Sequence, residues 1–168
     1  MALLVASAAG CGTDHGPVSG DQISEAAAES FWVGDELGGL ELTEVLVPPE
    51  GAGTSTSFIY GTCEPTGDGG CAPPLEIQTW GVCSRLPPPK RVDGLQRIRG
   101  VLASFDGRSP QIELYAAAGT VVVFADTYER ARAAAEQLRQ RDELSAGENL
   151  AALNRSDLRG RGRCASQY

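Results

Sequence analysis

From Leu75 to Trp80 the chain alternates, with Leu75, Ile77 and Thr79 on one side and Glu76, Gln78 and Trp80 on the other. A period of two predicts a strand over 75–82 with one buried face. The same logic predicts strands over 40–47, LELTEVLV, and over 57–62, SFIYGT. Pro48-Pro49 stop the first, because proline has no donor for a ladder. Extended structure resumes over 98–105 and ends at Asp106-Gly107. Segments 111–117, QIELYAA, and 120–125, TVVVFA, flank Ala118-Gly119 and predict a hairpin. The second is apolar without a break, as in a strand buried on both faces. Asp126 then stands as N-cap, with Glu129 three residues on. Residues 128–141, YERARAAAEQLRQR, predict one helix whose apolar stripe is Ala131, Ala134, Ala135 and Leu138. Weaker signals are a helical turn within 21–30, the short apolar run Phe31-Trp32-Val33, a turn at 35–39 and a second helix over 148–153.

These elements predict one α+β domain over residues 30–145, a mainly antiparallel sheet of about five or six strands with the 127–141 helix packed on it. A length of 168 residues suits a single core. Residues 84–91, SRLPPPKR, form a stiff linker inside the domain, and 146–168 form a polar, partly basic tail. Charge narrows the partners. Residues 1–128 carry 6 basic and 16 acidic side chains, and 129–168 carry 8 and 6. An acidic body repels phosphate backbones, so nucleic acid is not an expected partner.

The first residues read MALLVASAAGCG. Their apolar stretch, Ala2 to Ala9, is too short to span a bilayer. Small residues run directly into Cys11, and this resembles a bacterial lipobox, in which the cysteine after the cleavage point becomes diacylated. The position three before the cysteine is Ala8, where that pattern carries Leu, and no basic residue precedes the stretch. On this resemblance 1–11 is a partial signal segment and Cys11 the lipidation site. Residues 12–29 begin with the Gly- and Ser-rich GTDHGPVSGDQ and serve as a flexible tether to the membrane. Two or three acyl chains on one cysteine anchor stably.

Four other cysteines remain: Cys63, Cys71, Cys83 and Cys164. Four thiols allow three pairings, and spacing alone does not choose among them. A Cys63–Cys71 bond closes a nine-residue ring whose Pro65, Gly67, Gly69 and Gly70 turn back without strain. It would clasp the strands 57–62 and 75–82 and contribute about 2–3 kcal/mol. Cys83 and Cys164 are then left for each other. Zinc is a weaker reading, since the first three are separated by seven and eleven residues rather than the usual two to four. Redox catalysis lacks the Cys-x-x-Cys arrangement.

Other chemistry is sparse. His15, the one histidine, falls in the tether, so Ser-His-Asp and Cys-His machinery and His-ligated metals have no support in the body. No glycine-rich phosphate loop occurs, and GDELGG at 34–39 reads as a turn. Asp35, Glu36, Glu41, Glu44 and Asp68 are the carboxylates with any clustering, but acidic residues beside turns are mostly solvated. Trp32, Tyr60, Trp80 and Tyr115 are expected in the core; an exposed Trp80 would mark a binding face. Arg159, Arg161 and Arg163 sit in the tail. No catalytic residue, cofactor site or metal site is expected.

The order of FWVG, LGGLELTEV, FIYGTCEP to GCAPPLEIQTW, and TVVVFAD before an Ala/Arg helix resembles an uncharacterised extracytoplasmic lipoprotein family of high-GC Gram-positive bacteria, over residues 31–141. The resemblance implies a secreted or membrane-anchored domain and carries no activity or catalytic residue. The expected function is a non-enzymatic envelope lipoprotein that binds or scaffolds an unidentified partner outside the membrane. The alternatives are an extracytoplasmic thiol–disulfide oxidoreductase using Cys71 or Cys83, and a small carboxylate-dependent hydrolase around 35–44.

Overall fold

The computed structural model describes residues 18, 20–26, 30–49, 55–65, 71–81, 84–85, 96–117 and 119–140. In chain order the elements are α1 (Gly20–Glu25), β1 (Phe31–Trp32), β2 (Glu36–Leu37), β3 (Leu40–Leu46), β4 (Thr56–Tyr60), β5 (Glu64–Pro65), β6 (Cys71–Ala72) and β7 (Leu75–Trp80). They continue with β8 (Gln96–Ile98), β9 (Val101–Phe105), β10 (Gln111–Ala116), β11 (Gly119–Ala125), α2 (Tyr128–Gln137) and β12 (Arg139–Gln140).

Turn chemistry builds two meanders. Gly38 and Gly39, at φ 57° and 82°, supply the two left-handed residues of a tight turn between β2 and β3. Arg99 and Gly100, at 46° and 80°, do the same between β8 and β9. Asp106 shapes the β9–β10 turn, accepting from Ser109 Oγ at 2.8 Å and Arg108 N at 3.0 Å. Strand β3 carries a bulge between Leu42 and Glu44. The residue inside it, Thr43, turns its hydroxyl to Gly61 O at 2.9 Å, with Ile59 O at 3.2 Å as a second acceptor.

The two meanders meet in the middle. Sheet order is β2-β3-β4-β7-β11-β10-β9-β8, every pair antiparallel. The last strand of each meander, β7 and β11, pair through Thr120↔Trp80 to Ala125↔Leu75. The register sends Phe58, Tyr60, Leu75, Ile77, Leu114, Val121 and Val123 to one face. That face holds the core, all of these residues being 0% exposed. Helix α2 lies over β10 and β11 and buries Ala131, Ala134 and Ala135, small enough for close approach to the sheet. Its N-cap is Thr127, whose side chain accepts from Arg130 N at 3.2 Å. The expected cap Asp126 instead pairs with Arg130.

The expected α+β fold is corrected: among the described residues the molecule is mostly β, with eight strands in one antiparallel sheet, two further two-stranded ladders and two small helices. Physical length explains the difference. Strands β2, β5, β6, β8 and β12 span two or three residues and are too short to display an alternation. The stretch read as one strand over 98–105 folds back at Arg99-Gly100, and the 35–39 turn contains β2. The predicted helix stops four residues early because Leu138, at φ −51° and ψ 138°, leaves helical geometry. Arg139 and Gln140 then pair with Trp32 and Phe31. Helix α1 falls in the segment read as tether, where Ala26 joins the core cluster and Ile23 packs against it. The 148–153 helix, the 84–91 linker beyond Ser84-Arg85 and the 146–168 tail lie outside the described residues.

Gly119 is the tightest point of the central pairing, since a Cβ there would sit 2.2 Å from Trp80 O. Gly119→Ala is therefore expected to cost about 1–3 kcal/mol in urea unfolding. Gly107→Ala, with nothing within 4 Å, is expected to leave the midpoint unchanged.

Candidate functional site

The face of the sheet opposite the core is where polar chemistry collects. Alternation puts Glu76, Gln78 and Trp80 of β7 on it, beside Thr120, Val122 and Phe124 of β11. Across β11 come Gln111, Glu113 and Tyr115 of β10, then Ser104 and Leu102 of β9. Strands β7 and β10 thus carry matching triples, an acid, an amide and an aromatic residue at every second position.

Each triple is tied by hydrogen bonds along its own strand. Trp80 Nε1 donates to Gln78 Oε1 at 3.0 Å, and Gln78 Nε2 donates to Glu76 Oε1 at 2.8 Å. Glu113 is the hub of the other. Its Oε1 accepts from Arg85 Nη2 at 2.7 Å, Arg85 Nε at 3.2 Å and Gln111 Nε2 at 3.1 Å. Its Oε2 accepts from Tyr115 OH at 3.0 Å, and Ser104 Oγ lies 3.1 Å from the same hydroxyl. Arg85 spans the two triples, bonded to Glu113 while its guanidinium carbon lies 5.3 Å from the Trp80 ring centroid. Leu102, Tyr115 and Val122 are at most 2% exposed, yet Glu113, Gln78 and Trp80 remain half-buried. The arrangement holds amide, carboxylate, guanidinium and indole groups in fixed positions.

A second place is a cleft of about 310 Å³ lined by Val18, Ile23, Asp35, Glu36, Glu41 and Leu42. It brings together three of the four carboxylates singled out over 35–44; Glu44 lies instead opposite Ile59 on the far face. Glu36 and Glu41 stand directly across β2 and β3, an unfavourable pairing of like charges. All three are exposed, and Glu36 Oε1 accepts from Gly39 N at 3.2 Å. A general acid needs a carboxyl sheltered from water, which none of them is. Among the described residues no group of three His, Cys, Asp or Glu side chains is set to hold a metal.

The third place is the β1·β12 ribbon over the core. Phe31 N donates to Thr79 Oγ1 at 2.9 Å, and Val33 N donates to Tyr60 OH at 3.2 Å. Trp32 packs 5.8 Å from the Phe58 ring, with Arg139 over its own ring at 5.1 Å.

Of the predicted site residues, Cys63 is exposed and disulfide-bonded. The backbone of Cys71 pairs with Pro65, while its side chain lies outside the described residues. Cys11, His15, Asp68, Cys83, Cys164 and Arg159, Arg161 and Arg163 also lie outside them. Tyr60 joins the core as expected. Tyr115 is buried on the opposite face, and Trp80 is half-buried there rather than in the core. Sequence reasoning missed the hub role of Glu113 and the span of Arg85. The available signal was that β7 and β10 each carry one acid, one amide and one aromatic residue at alternate positions, in the orders Glu76-Gln78-Trp80 and Gln111-Glu113-Tyr115. Compared with protein families, with curated proteins and with solved structures, the chain matches none.

Burial pushes the hydroxyls of both Tyr60 and Tyr115 well above the ordinary tyrosine range. For Tyr115 the negative charge of Glu113 adds to the rise, and the Ser104 bond opposes it. A phenol with a higher pKa in the fold than in the unfolded chain contributes its stability in full below about 10, the unfolded value. That contribution is lost as pH climbs through the folded value. Urea midpoints are therefore expected to fall above about pH 10, and Tyr115→Phe to make the fall shallower.

Proposed function

We propose that the protein is a non-enzymatic extracytoplasmic domain of the lipoprotein type, anchored through an acylated Cys11 or secreted, with a binding or scaffolding role in the cell envelope. The observation that carries this reading is the disulfide at Cys63. Such bonds persist where thiols are not kept reduced. The β5·β6 ladder, Glu64↔Ala72 and Pro65↔Cys71, turns the chain back so that Cys71 returns to the arm that Cys63 enters, and Cys71 is the partner this reading takes.

The Glu113–Arg85–Trp80 face supports a binding role, since its donors and acceptors are held in place by one another and by the sheet beneath. An exposed disulfide also suits thiol–disulfide exchange, which is the second reading. It requires a cysteine that titrates well below the usual 8.5 or so, visible as alkylation that stays fast at low pH.

Peptide mapping of protein taken from its native membrane, alkylated before reduction, tests the main reading. The expected result is a cross-linked peptide pair containing Cys63 and Cys71 and an N-terminal peptide that begins at Cys11 and carries acyl mass. Recovery of Cys63 alkylated before reduction, together with an unacylated Cys11, overturns it.

A further inference from the structure

A sheet edge takes up further chain where its main-chain groups lack a neighbour. Strand β2 faces only Leu40 and Glu41 of β3, and Leu42 N donates to Asp35 O at 2.8 Å. From there to the end of β3, no strand among the described residues lies on the side away from β4. The bulge at Thr43 interrupts β3, and past it the ladder to β4 is regular, with Glu44↔Ile59, Val45↔Phe58 and Leu46↔Ser57. Side-chain face and main-chain direction go together in a strand. Leu42 is on the core face and points its N–H away from β4. Val45 is on the core face too, so its N–H and C=O point into the open side.

The side chains beside that open stretch are apolar and bare. Leu46 and Val47 are 46% and 40% exposed. Among the described residues the one other large apolar side chain so exposed is Tyr128, whose hydroxyl is tied to Asp106 O. An aliphatic pair next to unpaired main chain is what an added strand would cover. Pro48 and Pro49 follow, so the stretch ends at Val47.

Charge selects the occupant. Residues 1–84 hold twelve acidic side chains and no lysine or arginine, whereas 85–168 hold all fourteen basic ones and ten acidic. Strands β2, β3, β4 and β7 all come from the first stretch, so this half of the sheet supplies no cation of its own. Arg85 and Arg139 reach over to Trp80 and Trp32. Neither pairs with Asp35, Glu36, Glu41 or Glu44, which form no ion pair among the described residues. The first three of these line the cleft at the β2 end of the open stretch. A second copy presenting the same edge would set one acidic half against another.

We infer that the edge of β3 from Glu44 to Val47 takes up an extended segment of a partner protein as an added strand, one in which arginine or lysine alternates with apolar residues. Main-chain bonds at Val45 hold the segment. Glu44 and, toward β2, Glu41 attract its basic side chains, whose aliphatic stems cover Leu46. Its apolar side chains lie beside Val45 and Val47. The inference uses neither the disulfide nor the lipid anchor, so it stands or fails apart from the reading above.

The test titrates the full chain with a fluorescent heptapeptide of alternating valine and arginine, blocked at both ends. Binding is read by anisotropy and by the main-chain amide signals of the protein. One control peptide has glutamate in place of arginine, and another has every peptide nitrogen methylated. Saturable binding of the arginine peptide is expected, with shifts centred on Glu44 to Val47 and slower hydrogen exchange at Val45 N–H, and neither control is expected to bind. Glu41→Gln combined with Glu44→Gln is expected to weaken binding about tenfold. Leu46→Ser is expected to weaken it less. The peptide controls keep the test decisive if a variant does not fold. Absence of saturation, equal binding of either control, shifts confined to the Glu113 face, or undiminished binding in both variants overturns the inference. Sedimentation of the chain alone is expected to show a monomer. A concentration-dependent dimer that Leu46→Ser abolishes assigns the edge to a second copy and also overturns it.

Discussion

The antiparallel pairing of β7 with β11 is the constraint on which the rest of the molecule depends. Each of these strands ends a meander, and nothing else in the sheet order connects the two halves. Their register brings Ile77 against Val123 and Leu75 against Ala125 on the core face, and Gln78 against Val122 on the other. A slip by one residue would turn the core set outward and the polar triples inward. The close contact of Gly119 with the Trp80 carbonyl holds one end of that pairing, and Asp126 N, bonded to Pro74 O at 3.0 Å, holds the other. Core, helix docking and the polar face all follow from one ladder.

The long strands were legible from their patterns: residues 75–80 and 111–116 carry enough positions for a period of two to stand out, 120–125 shows as an unbroken apolar run, and α2 carries enough for a stripe of alanines. The two-residue strands did not show, because two residues have no period. The helix end was hidden for a different reason. Residues Leu138 to Gln140 favour a helix locally, but Arg139 and Gln140 gain backbone partners in β1, a contact 107 residues away along the chain for Trp32 and Arg139 by their numbering. Tertiary pairing overrode local propensity there.

The two polar places differ in kind. On the outer face Glu113 accepts from Arg85, Gln111 and Tyr115, and these bonds hold the network as a unit. On the ribbon Ser30 Oγ, Trp32 Nε1 and Arg139 Nε are buried without a hydrogen-bond partner among the described residues. Neither was legible as chemistry in the sequence. Arg85 and Glu113 are 28 residues apart, and Trp32 meets Arg139 only through the ladder. Asp35, Glu36 and Glu41 were the reverse case, close in sequence and gathered in the fold, yet open to water.

The outermost strands of the sheet, β2 and β8, are two and three residues long and bear Glu36 and Arg97. An open sheet invites foreign chains to zip onto its margins, the first step of fibrous self-association. Here β2 covers only Leu40 and Glu41 of β3, and β8 only Val101 to Ala103 of β9, so each charged outer strand blunts one stretch of its border and leaves the rest of the neighbouring strand as the sheet's true margin.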